Sequence, residues 1–254
     1  MHGHLDDLHA RFSQQTRWTA DIRARLLALP QARAAGTVLE VGSGTGAITL
    51  DLHSRTQARL VGVDRDHASN LYATRLDPAT RFATGLGEHL PFARGAFDLS
   101  CCHFLLLWVQ EPQAILSEMV RVTSPGGAVL CLAEPDYGGR IEYPDSLAAL
   151  GSAQERALRR QGADTRLGRR LRHLLLSAGL ASVEVGVLGG EWRAGTTASA
   201  LEADLEWKTL ADDLAGDMPP EALEDLRRKL TAARDEGRHL LFIPTFYAWG
   251  LRPR

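Results

Sequence analysis

The chain has 254 residues, 44% of them hydrophobic and 24% charged, the balance of a soluble globular protein large enough to bury a full core without cross-links. A formal net charge of −2 supplies no basic field for nucleic acid or an anionic membrane, which disfavours both as partners. Cys101, Cys102 and Cys131 all sit in apolar runs, no run approaches the about 20 apolar residues of a membrane helix, and "MHGHLDDLHA" lacks the apolar core of a signal peptide. The expectation is a cytoplasmic protein with reduced thiols.

In chain order, His2, His4 and His9 with Asp6 and Asp7 read as a frayed polar terminus. No ligand set of fixed spacing follows to make them a metal site. "TRWTADIRARLLAL" places Trp18, Ile22, Leu26 and Leu29 at helical spacing, with one face toward a core. "TVLEVG" reads as a buried strand and "AITLDLHSR" as a helix. "RLVGVD" is a second strand and "ASNLYATRL" a second helix. "TRFATG" and "AFDLSCCHF" are the third and fourth strands. "EPQAILSEMVRV" is a helix closed by a Pro125-Gly126-Gly127 turn, and "AVLCLAEP" is the fifth strand. Strands alternating with helices imply a parallel sheet covered on both faces, an α/β fold.

After residue 136 the pattern changes. "SLAALGSAQERALRRQ" is helical, and "RLGRRLRHLLLSAGL" presents Leu167, Leu171, Leu174 and Leu175 on one face. Seven arginines between Arg156 and Arg172 read as the wet side of these helices, with Arg166, Arg169 and Arg170 opposite the leucines. "ASVEVGVL" is a sixth strand and residues 191–237 look helical. "HLLFIPTFYAWGL" closes the chain as a strand in which Pro244 suggests an edge or a bulge. The expected organisation is a single domain over 1–254. Its core covers about 37–135, 166–190 and 239–254, with lid or acceptor segments at about 1–30, 136–165 and 191–238.

"VLEVGSGTGAITL" packs Gly42, Gly44 and Gly46 between strand and helix, a turn that lets backbone approach a ligand closely. It also fits the dinucleotide pattern through Gly42, Gly44 and Ala47, and Asp64 ends the second strand where a carboxylate meets ribose hydroxyls. These residues alone leave nicotinamide oxidoreductases and S-adenosylmethionine enzymes both open. Glu40 separates them. A carboxylate beside the turn repels a pyrophosphate and favours a sulfonium and an ammonium. An acid inside a buried strand also needs a reason to be there.

"LEVGSGTG", "VGVD" and "LPFARGAFDLSCCHFLLLWVQEPQAILSEMVRVTSPGGAVL" together resemble class I S-adenosylmethionine-dependent methyltransferases. The likeness is to the small-molecule branch that includes ubiquinone and menaquinone biosynthesis methyltransferases. It covers Val38 to about Glu134. It implies a Rossmann-like doubly wound seven-stranded sheet, mostly parallel with the last strand antiparallel, plus helical lid insertions. It implies S-adenosylmethionine as cofactor, with Glu40, Gly42, Ser43 and Gly44 on its methionine and ribose parts, Asp64 on the ribose hydroxyls and Arg65 on the adenine. Gln15, Trp18 and Thr19 close over the methionine end, although all three, Trp18 especially, equally fit plain helix packing. Cys102 and His103 line the floor under the sulfonium. Leu86 stands where the family usually has the aspartate that meets adenine, so backbone at Leu86 and Gly87, with Glu88 nearby, is expected to hold that ring.

The implied reaction is in-line methyl transfer to a small-molecule acceptor through O, N or C. His103 or Tyr137 serves as base or orienting group, though His103 also fits simple packing beside the cofactor. "EPDYGGRIEYP" borders the acceptor, and Trp108, Trp192, Trp207, Phe242 and Phe246 are candidate walls. No metal ligand set is expected. A non-catalytic cofactor-binding relative, an RNA methyltransferase and an NAD(P)-dependent oxidoreductase remain alternatives, and the oligomeric state is open.

Overall fold

In the computed structural model, which describes residues 2–189, 200–216 and 218–254, the chain opens with two helices, α1 (His2–Trp18) and α2 (Ala20–Leu27), split at Thr19. The reading of a frayed terminus is therefore corrected. Tyr72 donates to Asp6 at 2.8 Å, Lys208 pairs with Asp7 at 2.6 Å, and His9 Nδ1 lies 3.0 Å from Thr45 Oγ1. The polar residues of α1 are polar because they bridge to other elements. The single helical face read across both segments is also broken at Thr19: Ile22 and Leu26 are buried, but Trp18 is 54% exposed. α3 (Pro30–Ala34) follows, with Pro30 in its first turn, where the missing N–H has no helical partner to lose.

Strands and helices then alternate as the apolar runs dictate. They are β1 (Thr37–Val41), α4 (Ala47–Arg55), β2 (Arg59–Asp64), α5 (His67–Leu76), β3 (Arg81–Thr84), β4 (Phe97–Cys102), α6 (Pro112–Val122) and β5 (Thr123–Pro135). β5 begins directly after α6 and absorbs Pro125-Gly126-Gly127, which the sequence alone assigned to a closing turn. Next come β6 (Ile141–Tyr143), α7 (Ala148–Arg160), α8 (Leu171–Ser177), β7 (Ala181–Val187), α9 (Ala200–Leu214), α10 (Pro220–Asp235), β8 (Leu240–Phe242) and β9 (Thr245–Leu251).

The main sheet has the order β3-β2-β1-β4-β5-β9-β7. The first four pairings are parallel, and β9 runs antiparallel to both β5 and β7. This is the seven-stranded, mostly parallel, doubly wound arrangement expected. The closing segment departs from the expectation of one strand with an edge or a bulge at Pro244. Pro244 separates β8 from β9, β9 lies inside the sheet, and the exposed edge is β7. β8 pairs instead with β6 in a small second sheet.

Strand alternation divides the core into two faces. Leu39, Val41, Cys102 and Cys131 pack with Ile115, Met119, Leu171 and Leu175 under α6 and α8. Val38, Leu99, Cys101 and Leu130 pack with Ile22, Leu26, Ile48 and Leu52 under α2 and α4. Glu40 points to this second face with Val38, which brings it against α4. Helices α7, α9 and α10 share a separate small core built on Leu150, Ala153, Leu214 and Leu226.

Candidate active site

The strand order reverses between β1 and β4, whose C-terminal residues Val41 and Cys102 are in register. Ligands of open α/β sheets bind outside such a switch point. Here a cavity of about 370 Å³ opens over the turn that follows β1. Gly42 and Gly44 have φ of 76° and 49°, where a side chain is strained. A Cβ on Gly42 would come 2.7 Å from Leu105 Cδ1, and one on Gly44 3.0 Å from Phe12 Cε2. The turn is braced internally. Gly42 and Ser43 donate backbone N–H groups to Val63 O at 2.8 and 3.1 Å, and Gly44 N donates to Asp64 Oδ2 at 2.8 Å. The Ser43 hydroxyl oxygen, on the cavity wall, is buried without a hydrogen-bond partner among the described residues.

Glu40 lines the same cavity at 3% exposure and accepts a hydrogen bond from Thr49 Oγ1. Burial pushes its carboxyl up to about 8, against the opposing pull of the Thr49 hydroxyl. Below that pH it holds a proton until a cation arrives. A buried cation, Arg23, lies behind the site. It donates to Asp51 Oδ2 at 2.6 Å, to Thr19 Oγ1 at 2.5 Å and to Thr16 O at 2.6 Å. His103 Nε2 is 2.9 Å from the same Thr19 hydroxyl, and its ring stacks on Phe104 with centroids 4.3 Å apart. Burial and the Arg23 charge lower the imidazole to about 3, so His103 is neutral at physiological pH and a weak base. Burial raises the Tyr137 phenol to about 12. That makes Tyr137 a hydrogen-bond donor and a poor candidate for proton abstraction. Of the two roles expected for these residues, base or orienting group, these directions favour orientation.

Of the residues expected around the cofactor, Gln15, Glu40, Gly42, Ser43, Gly44, Asp64, Arg65 and His103 line this cavity, as does Tyr137. Trp18 does not; it faces the neighbouring cavity. Thr19 is buried behind His103 as a hydrogen-bond partner. Cys102 is fully buried in the core below the sheet, because strand alternation turns it toward Cys131 and away from the cleft. Leu86, Gly87 and Glu88 lie outside the cavity wall in a tight turn closed by a Leu86–His89 bridge, with Leu86 53% exposed. Trp192 lies outside the described residues.

Sequence reasoning missed Leu8, Arg11 and Phe12 of α1, which roof the cavity. It also missed the bend after β4. There Glu134 accepts from the backbone N–H groups of Leu105, Leu106 and Leu107 at 3.0, 2.9 and 3.2 Å, and Phe104 sits at φ 49°. That left-handed residue is uncommon outside glycine, and the Glu134 bonds hold it. It places Phe104 between two cavities.

The second cavity, about 490 Å³, shares Arg11, Gln15, Phe104, Pro135 and Tyr137 with the first. Trp207 and Phe242 line it, whereas Phe246 packs on the sheet core and Trp108 lines the first cavity. Arg140, in the segment expected to border the acceptor, is forked onto Glu142 with two bonds of 3.0 Å and donates to Gln154 Oε1 at 2.7 Å. Asp136 takes both bonds of Arg169, and Tyr143 is exposed. Part of the arginine run is paired in the same way. Arg159 and Arg166 pair with Glu155, and Arg170 pairs with Asp164.

Likeness to known proteins agrees with this geometry. A family described as methyltransferase domain matches residues 39–131. Phosphatidylethanolamine N-methyltransferase of Cereibacter sphaeroides is 34% identical over 144 residues, 52% of this chain and 70% of that protein. Demethylmenaquinone methyltransferase of Renibacterium salmoninarum is 32% identical over 127 residues, 49% of this chain and 52% of that one. The chain thus spans about half the length of several relatives it matches. In fold, phosphoethanolamine N-methyltransferase 2 of Haemonchus contortus, solved with phosphomonomethylethanolamine and S-adenosylhomocysteine, superposes with a TM-score of 0.60 at 13% identity. That likeness covers 94% of this chain and 53% of that one. The YcgJ protein of Bacillus subtilis gives a TM-score of 0.58 at 19% identity, covering 94% and 99%. Joined to the strand order and to the acid-flanked glycine turn, these likenesses mean that the chain belongs to the class I S-adenosylmethionine-dependent methyltransferases.

Proposed function

We propose that this chain transfers a methyl group from S-adenosylmethionine to a small-molecule acceptor. The observation that carries the reading is Glu40, a carboxylate buried in the wall of the cavity over the glycine turn. An acid in that position opposes a pyrophosphate and favours a cation, which weighs against a nicotinamide cofactor. The orphan Ser43 hydroxyl and a turn that tolerates no Cβ at Gly42 or Gly44 also suit a ligand lying against backbone.

When bound, S-adenosylmethionine supplies an electrophilic methyl on a sulfonium. Glu40 compensates positive charge, Asp64 and Arg65 at the tip of β2 face the ribose and adenine side, and Gln15 with Phe12 covers the site from α1. The aromatic junction of Phe104 and Tyr137 orients an acceptor entering from the second cavity and excludes water from the line of attack. The described parts of the segments 2–30, 136–165 and 200–238 serve as the acceptor-facing lid of one domain. Relatives named as demethylmenaquinone and phosphatidylethanolamine methyltransferases support a small organic acceptor over RNA. Three buried free thiols suit a cytoplasmic setting.

The test is a labelled-methyl assay against metabolite extract and, separately, RNA. Label in a small molecule supports the reading. Label in RNA, or cofactor binding with no label in any acceptor pool, overturns it.

A further inference from the structure

The second cavity carries charges that the methyl-transfer reading leaves unused. Among its described lining residues, each arginine faces a carboxylate: Arg140 forks onto Glu142, Arg234 donates to Glu206 at 2.7 Å, and Arg11 stands 3.6 Å from Asp213. The first two pairs are close and hydrogen-bonded. The third is too long for a hydrogen bond. Asp213 is nonetheless 6% exposed, and its one hydrogen bond is from Gln154 Nε2 at 3.3 Å. The like charge of Asp212 adds to the burial penalty, and the Tyr137 phenol at the junction of the two cavities feels the Asp213 charge.

Among the described carboxylates of the chamber, Asp213 is therefore the most loosely paired. A buried carboxylate so placed is costly unless a cation reaches it. The rest of the wall is suited to a cation with an apolar body. Trp18, Phe104, Tyr137, Trp207 and Phe242 all line this space, and aromatic faces attract ammonium groups. An anionic acceptor is less well served, since Arg140 and Arg234 already hold carboxylates and the aromatic faces favour a cation.

We propose that Asp213 is the anchor for the methyl acceptor, and that the acceptor carries an ammonium group on an aromatic or alkyl body; Asp213 holds the ammonium, and the methyl passes to a different atom of the acceptor that bears a free lone pair. The inference rests on the methyl-transfer reading and adds the substrate class to it. The anchor lies close to the chemistry. Arg11, its loose partner, lines both cavities, as do Gln15 and Tyr137, so an amine held between Asp213 and Tyr137 sits at the mouth of the cofactor cavity. Gln154 ties Asp213 to Arg140 and Glu142, which fixes the carboxylate's orientation.

The test uses the full chain saturated with S-adenosylhomocysteine and three probes of like shape: 2-phenylethylamine, 2-phenylethanol and phenylacetate. Binding is read by calorimetry or ligand-observed NMR at up to millimolar probe. The amine is expected to bind about tenfold or more tighter than the alcohol, with phenylacetate weakest. Asp213→Asn is expected to remove the amine's advantage while alcohol binding and S-adenosylhomocysteine affinity stay within about twofold. Arg11→Gln, which removes the competing cation, is expected to strengthen amine binding; it decides the matter if Asp213→Asn does not fold. Equal binding of amine and alcohol, a preference for phenylacetate, no binding by any probe, or an unchanged amine preference in the folded variants overturns the proposal. If S-adenosylhomocysteine itself fails to bind, the methyl-transfer reading falls first and this inference with it. If it binds and the amine preference is absent, only this inference falls.

Discussion

Glu40 is a conditional anion. Its carboxyl is raised to about 8 by burial, so the folded chain holds a proton between about 4.5 and 8 that an unfolded chain releases. In the ligand-free protein the stability tied to this group is complete below the unfolded value, falls as pH rises through that window, and levels off above about 8. Glu134, raised to about 7 by its own burial, contributes in the same sense over a narrower range. Thermal melts of the ligand-free chain are therefore expected to show a decline from about pH 5 to 8 that Glu40→Gln makes shallower. Binding has the opposite sign. A cationic ligand favours the ionised form, so binding releases a proton, and affinity for S-adenosylmethionine should rise by up to about tenfold per pH unit between about 6 and 8. Calorimetry in buffers of different ionisation enthalpy counts that proton. A pH-independent affinity with no proton released contradicts the assignment.

The helices before the first strand do more than the sequence suggested. Phe12 abuts Gly44, His9 meets Thr45, and Lys208 of α9 pairs with Asp7, so α1 closes the turn after β1 from above. Hydrogen exchange in residues 2–18 is expected to slow when S-adenosylhomocysteine binds, while β1 and β4, already at the centre of the sheet, change little. α2 depends on Arg23, fully buried against Asp51. Arg23→Met is expected to cost about 3 kcal/mol in urea unfolding, the lower end for a broken buried pair, because Asp51 is partly exposed and retains Arg55.

These two helices also show where sequence reasoning ran short. Periodicity gave the alternating strands and helices, because a buried parallel sheet writes itself as apolar runs. It misread α1, because a helix that packs through ion pairs and hydrogen bonds looks like a solvated tail. It grouped Trp18 with the buried face, because Thr19 breaks the helix and shifts its phase.

Over the whole molecule, the cofactor side was legible and the acceptor side was not. Glu40, Gly42, Gly44 and Asp64 lie within one strand–turn–helix–strand unit, so their local order carries their geometry. The second cavity is assembled from α1, α7, α9, α10 and the β6–β8 pair. Arg11, Gln154, Asp213 and Glu142 meet there from positions 11 to 213 of the 254 residues, and no local pattern announces it. Cys102 illustrates the limit within a motif: its position at a strand tip was right and its side was wrong, since one step along a strand turns a side chain to the opposite face.

The central claim is that a buried acid selects a cationic methyl donor at the turn after β1. Calorimetric titration of S-adenosylmethionine and NAD into the native chain and Glu40→Gln tests it most directly. The account expects S-adenosylmethionine binding to the native chain, a loss of about tenfold to a hundredfold in the folded variant, and no measurable NAD binding to the native chain. NAD binding in place of S-adenosylmethionine, or the same S-adenosylmethionine affinity in both proteins, contradicts it.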